Sequence, residues 1–135
     1  MTPPNLRRAI VLFAHGSRDP LWRRPMEAVA ARIAQQAPDT AVRCAYLEMI
    51  QPDLESCVTT LVNEHVNCVT IVPMFLGTGK HARDDLPLLV AQLTKRFPKI
   101  EIGLQAAIGE NPLMIDLMAQ IALMASTTQP ASACP

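Results

Sequence analysis

The stretch Arg8-Ala-Ile-Val-Leu-Phe-Ala14, followed directly by His15 and Gly16, decides the fold class. It is a short apolar run that ends at a glycine, which is typical of a strand buried on both faces of a parallel sheet. A second such run, rich in β-branched residues, extends from Cys68 to Leu76. Segments with helical spacing of apolar residues separate the runs. The pattern predicts strands at 8–14, 41–47, 68–76 and 100–105, and helices at 21–37, 52–64, 87–97 and 111–125.

This alternation of strands and helices predicts an α/β fold. We expect a single flavodoxin-like, three-layer domain with a four-stranded parallel sheet in the order 2-1-3-4 and helices on both faces. The domain should cover residues 1–125, with a flexible C-terminal tail at 126–135. In such a sheet, ligands bind beyond the carboxyl ends of the strands, at the switch point between strands 1 and 3. Functional residues should therefore follow these two strands.

Charge and composition exclude several classes of protein. The 135 residues carry 12 basic and 12 acidic side chains, so the chain lacks the basic footprint of a nucleic-acid binder. No apolar run reaches the roughly 18 residues that a membrane span needs, and the short run after Arg8 does not suit a signal peptide. We expect a soluble, cytoplasmic protein that binds neither nucleic acid nor membranes. The cysteines match no zinc or iron–sulfur spacing; we expect Cys44, Cys57 and Cys68 to be buried and Cys134 to be a thiol in the tail.

Two of the three histidines fall at the expected switch point. His15 directly follows the first strand, His81 lies in the predicted loop after the third strand, and Glu48 ends the second strand. Two imidazoles and a carboxylate form a nitrogen and oxygen donor set that suits Co²⁺, Fe²⁺, Ni²⁺ or Zn²⁺, and imidazoles also accept protons. A loop histidine can equally cap a turn, and Glu48 can equally be a surface residue. The third histidine, His65, fits a solvated helix end.

The glycines near these histidines indicate tight turns. Gly16 allows the backbone to turn sharply after the strand, and Gly77 and Gly79 make the second loop permissive. The sequence Gly77-Thr-Gly-Lys80 is only superficially like a phosphate-binding loop, because the lysine is followed by histidine rather than by serine or threonine. Nucleotide binding is therefore not expected.

Basic residues gather at the same two segments, on or just after the histidine loops. They are Arg18, Arg23, Arg24, Lys80 and Arg83. One interpretation is an ordinary solvated helix face. The other is a basic rim that attracts a ligand with several carboxylates, which arginine binds bidentately.

The motifs that carry these residues resemble a known family. Ala14-His-Gly-Ser-Arg-Asp-Pro20 and Pro73-Met-Phe-Leu-Gly-Thr-Gly-Lys-His-Ala-Arg-Asp-Asp-Leu-Pro87 resemble the two motifs of the small sirohydrochlorin cobaltochelatases of the CbiX type, and Leu47-Glu48 matches the pattern too. These proteins are class II chelatases, related to ferrochelatase. The resemblance covers residues 8–123 and identifies the chain as a chelatase-like half. Short members of the family pair as homodimers.

The resemblance implies a function and roles for these residues. The reaction would insert a divalent metal, Co²⁺ first and Fe²⁺ or Ni²⁺ as alternatives, into sirohydrochlorin, a tetrapyrrole with eight carboxylates, for cobalamin or siroheme-type biosynthesis. The metal is a substrate, and no organic cofactor is implied. His15 and His81 would be the metal-binding and catalytic pair, with Glu48 as a supporting acid. The residues that would bind the substrate are Gly16, Ser17, Arg18, Gly79, Lys80 and Arg83.

Other functions use similar residues. A non-catalytic module that delivers metal or tetrapyrrole to a partner would need the same histidines. A histidine-type phosphatase also has His-Gly after its first strand, but it needs an arginine before the histidine, where this chain has Ala14. A purely structural α/β domain remains the third alternative.

Overall fold

The computed structural model describes residues 6–128 of the chain. Its elements are β1 (Arg8–Ala14), α1 (Arg24–Gln36), β2 (Ala41–Tyr46), α2 (Leu54–Asn63), β3 (Cys68–Pro73), α3 (Lys80–Arg96), β4 (Glu101–Leu104), a 3₁₀ helix (Ile108–Glu110) and α4 (Pro112–Thr128). The last helix therefore extends into the predicted tail, and residues 129–135 lie outside the described residues. Among the described helices, none is long and apolar enough to cross a membrane.

The sheet has the predicted topology. All neighbouring strands are parallel, and their order is β2-β1-β3-β4. Leu12 of β1 pairs with Cys44 on one side and with Val72 on the other, so β1 lies at the centre of the sheet. Its apolar sequence follows from this position, because a central strand is covered on both faces.

Each face of the sheet has its own apolar core. The larger core packs α2 and α3 against one face and includes Val11, Leu61, Ile71 and Leu93. The smaller core lies on the other face, where Met26 of α1 packs near Leu12 and Val72. The α/β fold with helices on both faces is thus confirmed.

Both ends of α2 show why this segment is helical. The Asp53 carboxylate caps the helix by accepting a hydrogen bond from the Ser56 backbone N–H at 2.8 Å, and this bond lowers the pKa of Asp53. At the other end, His65 adopts a φ of 69° and its N–H donates to the Val62 carbonyl, while the Val66 N–H donates to the Leu61 carbonyl. This is a Schellman motif. His65 is exposed at the helix end, as predicted.

The start of α3 corrects a sequence prediction. We expected a polar loop up to Asp85 and a helix from Pro87 to Phe97, with Asp84 or Asp85 as its cap. The helix instead begins at Lys80 and contains Pro87 in its interior. The reason is packing: Ala82, Leu86, Leu89 and Leu93 lie on one helical face and pack into the larger core. This burial outweighs the backbone hydrogen bond that proline cannot donate.

The cysteines are less buried than expected. Cys57 is buried in the larger core, but Cys44 and Cys68 are only half-buried because they lie on the less covered face of the sheet. Cys134 lies outside the described residues. Burial raises the pKa of the Cys57 thiol to about 11.

The turn after β1 depends on a glycine. Gly16 has a φ of 102°, and a Cβ at this position would lie 1.9 Å from the backbone oxygen of Glu48. No other residue fits both constraints. The segment after β1 and the segment after β2 can therefore approach each other only with glycine at this position.

We predict that Gly16→Ala lowers the free energy of unfolding by more than about 2 kcal/mol, through backbone strain and overpacking. Gly103→Ala is the matched control, because a Cβ there meets no atom within 4 Å. It should change stability by less than about 1 kcal/mol. Urea denaturation measures both, and equal effects of the two substitutions would contradict the clash at Gly16.

We also predict that stability falls at alkaline pH through Cys57. The folded-state pKa is about 11 against 9.0 for the free thiol, so the contribution is complete below pH 9 and is lost as the pH rises through 11. The loss should be about 2 kcal/mol by pH 11. Urea denaturation from pH 8 to 11 should show a shallower decline in Cys57→Ala than in the parent chain. Parallel pH profiles would contradict the prediction.

Candidate functional site

Backbone hydrogen bonds continue past the ends of the strands. The Leu47 N–H donates to the Ala14 carbonyl at 2.8 Å, and the Glu48 N–H donates to the His15 carbonyl at 3.0 Å. On the other side, the Met74 N–H donates to the Phe13 carbonyl at 2.7 Å. The segments that follow β1, β2 and β3 are therefore held side by side at the carboxyl edge of the sheet, where ligand sites of such sheets lie.

A pocket of about 350 Å³ opens at this edge, between the end of β1 and the start of α3. Its floor is apolar and its remaining lining is polar or charged. The lining residues are Phe13, His15, Leu47, Phe75, Gly79, Lys80, His81, Ala82, Asp85, Leu86 and Leu89. An apolar pocket with a few polar groups is the usual form of a small-molecule site.

The imidazole of His15 lies against an aromatic ring. The ring centroids of His15 and Phe75 are 4.5 Å apart, with an angle of 36° between the planes. Phe75 is itself buried and meets the ring of Phe13 edge-on, with centroids 6.2 Å apart. This stack limits the positions that the exposed His15 side chain can adopt and directs it to the pocket.

The first turn of α3 supplies the opposite wall. Gly79 is the N-cap residue, and it forms no side-chain capping hydrogen bond. Lys80 and His81 follow it as the first helical residues. His81 was expected in a loop; in the structure the helix fixes its backbone. Asp85 lies one turn later on the same side of the helix and also lines the pocket. The N-terminal end of a helix carries partial positive charge, which favours anionic groups.

The structure brings together four of the predicted site residues and leaves five outside the pocket lining. His15, His81, Gly79 and Lys80 line the pocket. Glu48 is exposed in the neighbouring depression, which shares only Leu47 with the pocket. The other four lie outside both linings: Gly16, Ser17, Arg18 and Arg83.

Local contacts explain why these residues lie outside the pocket. The Ser17 hydroxyl accepts a hydrogen bond from the Asp19 N–H at 3.1 Å, so it stabilises its own turn. Arg18 and Arg83 are exposed. Of the other basic residues, Arg23 lies 3.9 Å from Glu27 in an exposed ion pair, which fits the solvated helix face rather than a rim around the pocket.

Sequence reasoning missed some of the lining. Asp85 was one of two residues, with Asp84, expected to cap the helix. Its four-residue spacing from His81 becomes informative only once α3 is known to begin at Lys80. Phe13 and Phe75 fit the apolar pattern of buried strands, which does not indicate that they floor a pocket.

The donor groups of the pocket suit a metal ion that binds transiently. Within residues 6–128, no three His, Cys, Asp or Glu side chains lie close enough together to hold a metal ion. The pocket offers two imidazoles from different elements, His15 and His81. Two neutral nitrogen ligands leave most coordination positions of a divalent ion open, so that water or another ligand can occupy them.

Comparisons with known proteins identify the family of this chain. The CbiX family model matches residues 9–123. A sirohydrochlorin cobaltochelatase of Methanopyrus kandleri is 29% identical over 82 residues, which cover 61% of this chain and 57% of the relative. A chloroplastic sirohydrochlorin ferrochelatase of Arabidopsis thaliana is 26% identical over 109 residues, which cover 81% of this chain and 48% of the relative. This chain thus spans about half the length of these two relatives.

The fold has a solved counterpart of similar length. The crystal structure of a CbiX protein from Marinobacter aquaeolei VT8 superposes with a TM-score of 0.79 at 28% identity, covering 90% of this chain and 99% of the other. The family model covers nearly the whole described domain. The chain belongs to the CbiX family.

Proposed function

We propose that this protein is a sirohydrochlorin chelatase that inserts a divalent metal into the tetrapyrrole at the pocket beside β1 and α3. The observation that carries the proposal is the convergence of His15 and His81 on one pocket at the switch point of the sheet. Membership of the CbiX family and the relatives named as sirohydrochlorin chelatases support it.

The chemistry of metal insertion matches what these two histidines can do. The metal ion must lose water ligands, and the macrocycle must bend and release two pyrrole N–H protons as the ion enters. Neutral imidazoles of His15 and His81 bind the ion while its other positions stay open for exchange, and free imidazole accepts the protons. The segment that carries Glu48 lies beside His15, because the Glu48 backbone N–H donates to the His15 carbonyl. Glu48 is the proposed supporting acid.

The substrate carboxylates need cationic partners. Lys80 lines the pocket, and the first backbone N–H groups of α3 point to the same end of the helix. Four predicted substrate-binding residues are close in sequence to the pocket residues His15 and His81: Gly16, Ser17, Arg18 and Arg83. We propose that they contact the parts of the tetrapyrrole that extend beyond the pocket. Asp85 faces the same space, and its charge opposes direct contact with a carboxylate.

Pocket size supports a homodimer. A volume of about 350 Å³ is at the small end of ordinary ligand sites. A tetrapyrrole with eight carboxylates needs more surface than this pocket provides. We propose that a second copy of the chain supplies the opposite wall of the cleft, as the resemblance to short family members implies. Cytoplasmic location stays a prediction from the sequence.

The choice of metal is a separate part of the proposal. We propose Co²⁺ first, as the resemblance to the small cobaltochelatases implies. Fe²⁺ and Ni²⁺ are alternatives, because two imidazoles bind all three ions. The relatives are named as cobaltochelatases and ferrochelatases, so their names support a divalent metal without selecting one.

An anaerobic spectrophotometric assay tests the proposal. The parent chain should convert sirohydrochlorin and Co²⁺ to the metallated product faster than a protein-free control. His15→Ala and His81→Ala should each lower kcat/KM at least about 100-fold, because each removes a metal ligand and proton acceptor. His65→Ala is the matched control, since His65 is exposed at the end of α2, and it should keep the parent rate. Fe²⁺ and Ni²⁺ in parallel rank the metals.

Two results of this assay would overturn the proposal. Loss of activity in His65→Ala to the same degree would show that the pocket is not the site. Binding of sirohydrochlorin without faster metal insertion, for any of the three ions, would instead indicate a delivery module.

We further predict that Lys80→Ala raises KM for sirohydrochlorin about 5- to 10-fold with a smaller change in kcat, because it removes a charge partner of a substrate carboxylate. The effect should shrink as ionic strength rises. Lys99→Ala is the control, since Lys99 is exposed before β4, at the opposite edge of the sheet. A KM change of the same size in both variants would contradict a specific role for Lys80.

A further inference from the structure

The loop after β2 contains a strained backbone turn. The Ile50 N–H donates to the Glu48 carbonyl at 2.9 Å, and Met49 between them has a φ of 73°. Together these features define a γ-turn of the rare, strained type. Glycine adopts a positive φ at no steric cost, whereas a side chain makes this conformation unfavourable. The loop therefore has methionine at a position that glycine would fit with less strain.

Hydrogen bonds around the loop explain the turn but not the methionine. The Tyr46 N–H donates to the Pro52 carbonyl at 2.9 Å and closes the loop, and the Glu48 N–H donates to the His15 carbonyl at 3.0 Å. The backbone must therefore reverse its direction within a few residues. The Met49 side chain is 60% exposed and belongs to neither apolar core, so its burial does not offset the strain. The stability of the domain alone thus favours glycine at position 49.

Exposed apolar side chains surround the candidate site. Among residues 6–128, five large apolar residues outside the helices are more than a third exposed, and all five lie in the segments that follow β1, β2 and β3. They are Leu21, Trp22, Leu47, Met49 and Leu76. The edge of the sheet that carries the two histidines therefore also presents apolar surface to a ligand.

Met49 lies where a ligand larger than the pocket would extend. It lines the neighbouring depression of about 420 Å³, and Leu47 lines both this depression and the pocket. Neighbouring strands are about 4.8 Å apart, so a macrocycle of four pyrrole rings centred near His15 extends over the ends of the adjacent strands. A ring that leaves the pocket on the β2 side would cross Leu47 and meet Met49.

We propose that Met49 contacts the apolar face of the tetrapyrrole and helps to hold it over the two histidines. This inference rests on the proposed function and adds a substrate-binding residue to it. The chemistry fits, because a thioether side chain is flexible and polarizable and packs favourably against conjugated rings. The domain then gives up stability at position 49 for a contact with its ligand, as is common for strained residues at binding sites.

Two variants of Met49 test the contact by comparing stability with binding. Met49→Gly relieves the strain and removes the apolar side chain, so its urea midpoint should rise. Its dissociation constant for metal-free sirohydrochlorin should also rise, about 10-fold, because one apolar side chain no longer covers the ring. Met49→Leu keeps both the positive φ and an apolar side chain. Its urea midpoint should match the parent, and its dissociation constant should stay within about threefold.

Fluorescence titration of sirohydrochlorin in the absence of metal measures the binding, and urea denaturation measures the stability. Leu88→Ala is the matched control, because Leu88 is 62% exposed on α3 and lines neither the pocket nor the depression. This variant should bind sirohydrochlorin as the parent chain does. Weaker binding in a variant that is more stable than the parent cannot result from damage to the fold.

Several results would overturn the proposal. One is a Met49→Gly variant that binds as tightly as the parent or is less stable than the parent. Another is a loss of binding in Met49→Leu or Leu88→Ala equal to that in Met49→Gly. A parent chain that binds sirohydrochlorin but inserts no metal overturns the proposed function and leaves this comparison intact. A parent chain that does not bind sirohydrochlorin overturns both.

Discussion

The site depends on the backbone hydrogen bonds that continue beyond the strands on both sides of β1. Glu48 is bonded to His15 on one side and Met74 to Phe13 on the other, so three consecutive segments are locked together at one edge. Gly16 permits this closeness, because only glycine leaves room for the Glu48 carbonyl. Without these contacts the first histidine would lie on a free turn.

The other side of the site, which carries His81, is positioned by the packing of a helix rather than by backbone hydrogen bonds. α3 begins at Lys80 because its apolar face reaches back to Ala82, and that early start fixes His81 against the pocket. The two histidines are therefore held by different means, one by hydrogen bonds and a ring stack and the other by a packed helix. We propose that these two histidines, on separate supports, hold the metal and then release it.

The sequence predicts the architecture well because the relevant signal is local. The apolar run at β1 gives the strand with the same limits as the structure, and the alternation of elements gives the sheet order. The start of α3 was wrong because Pro87 is a local signal and the packing of Ala82 is not. Asp85 could not be assigned to the pocket for the same reason. The place of Glu48 in a neighbouring depression depends on side-chain direction, which spacing alone does not determine.

The measurement that tests the central claim most directly is an anomalous difference map from crystals soaked in Co²⁺. The account predicts a peak in the pocket within about 2.0–2.3 Å of one nitrogen of His15 and one of His81. The same map from His81→Ala crystals should lose that peak. A cobalt peak at His65 or beside Cys44, with the pocket empty, would contradict the claim that the two histidines share the metal.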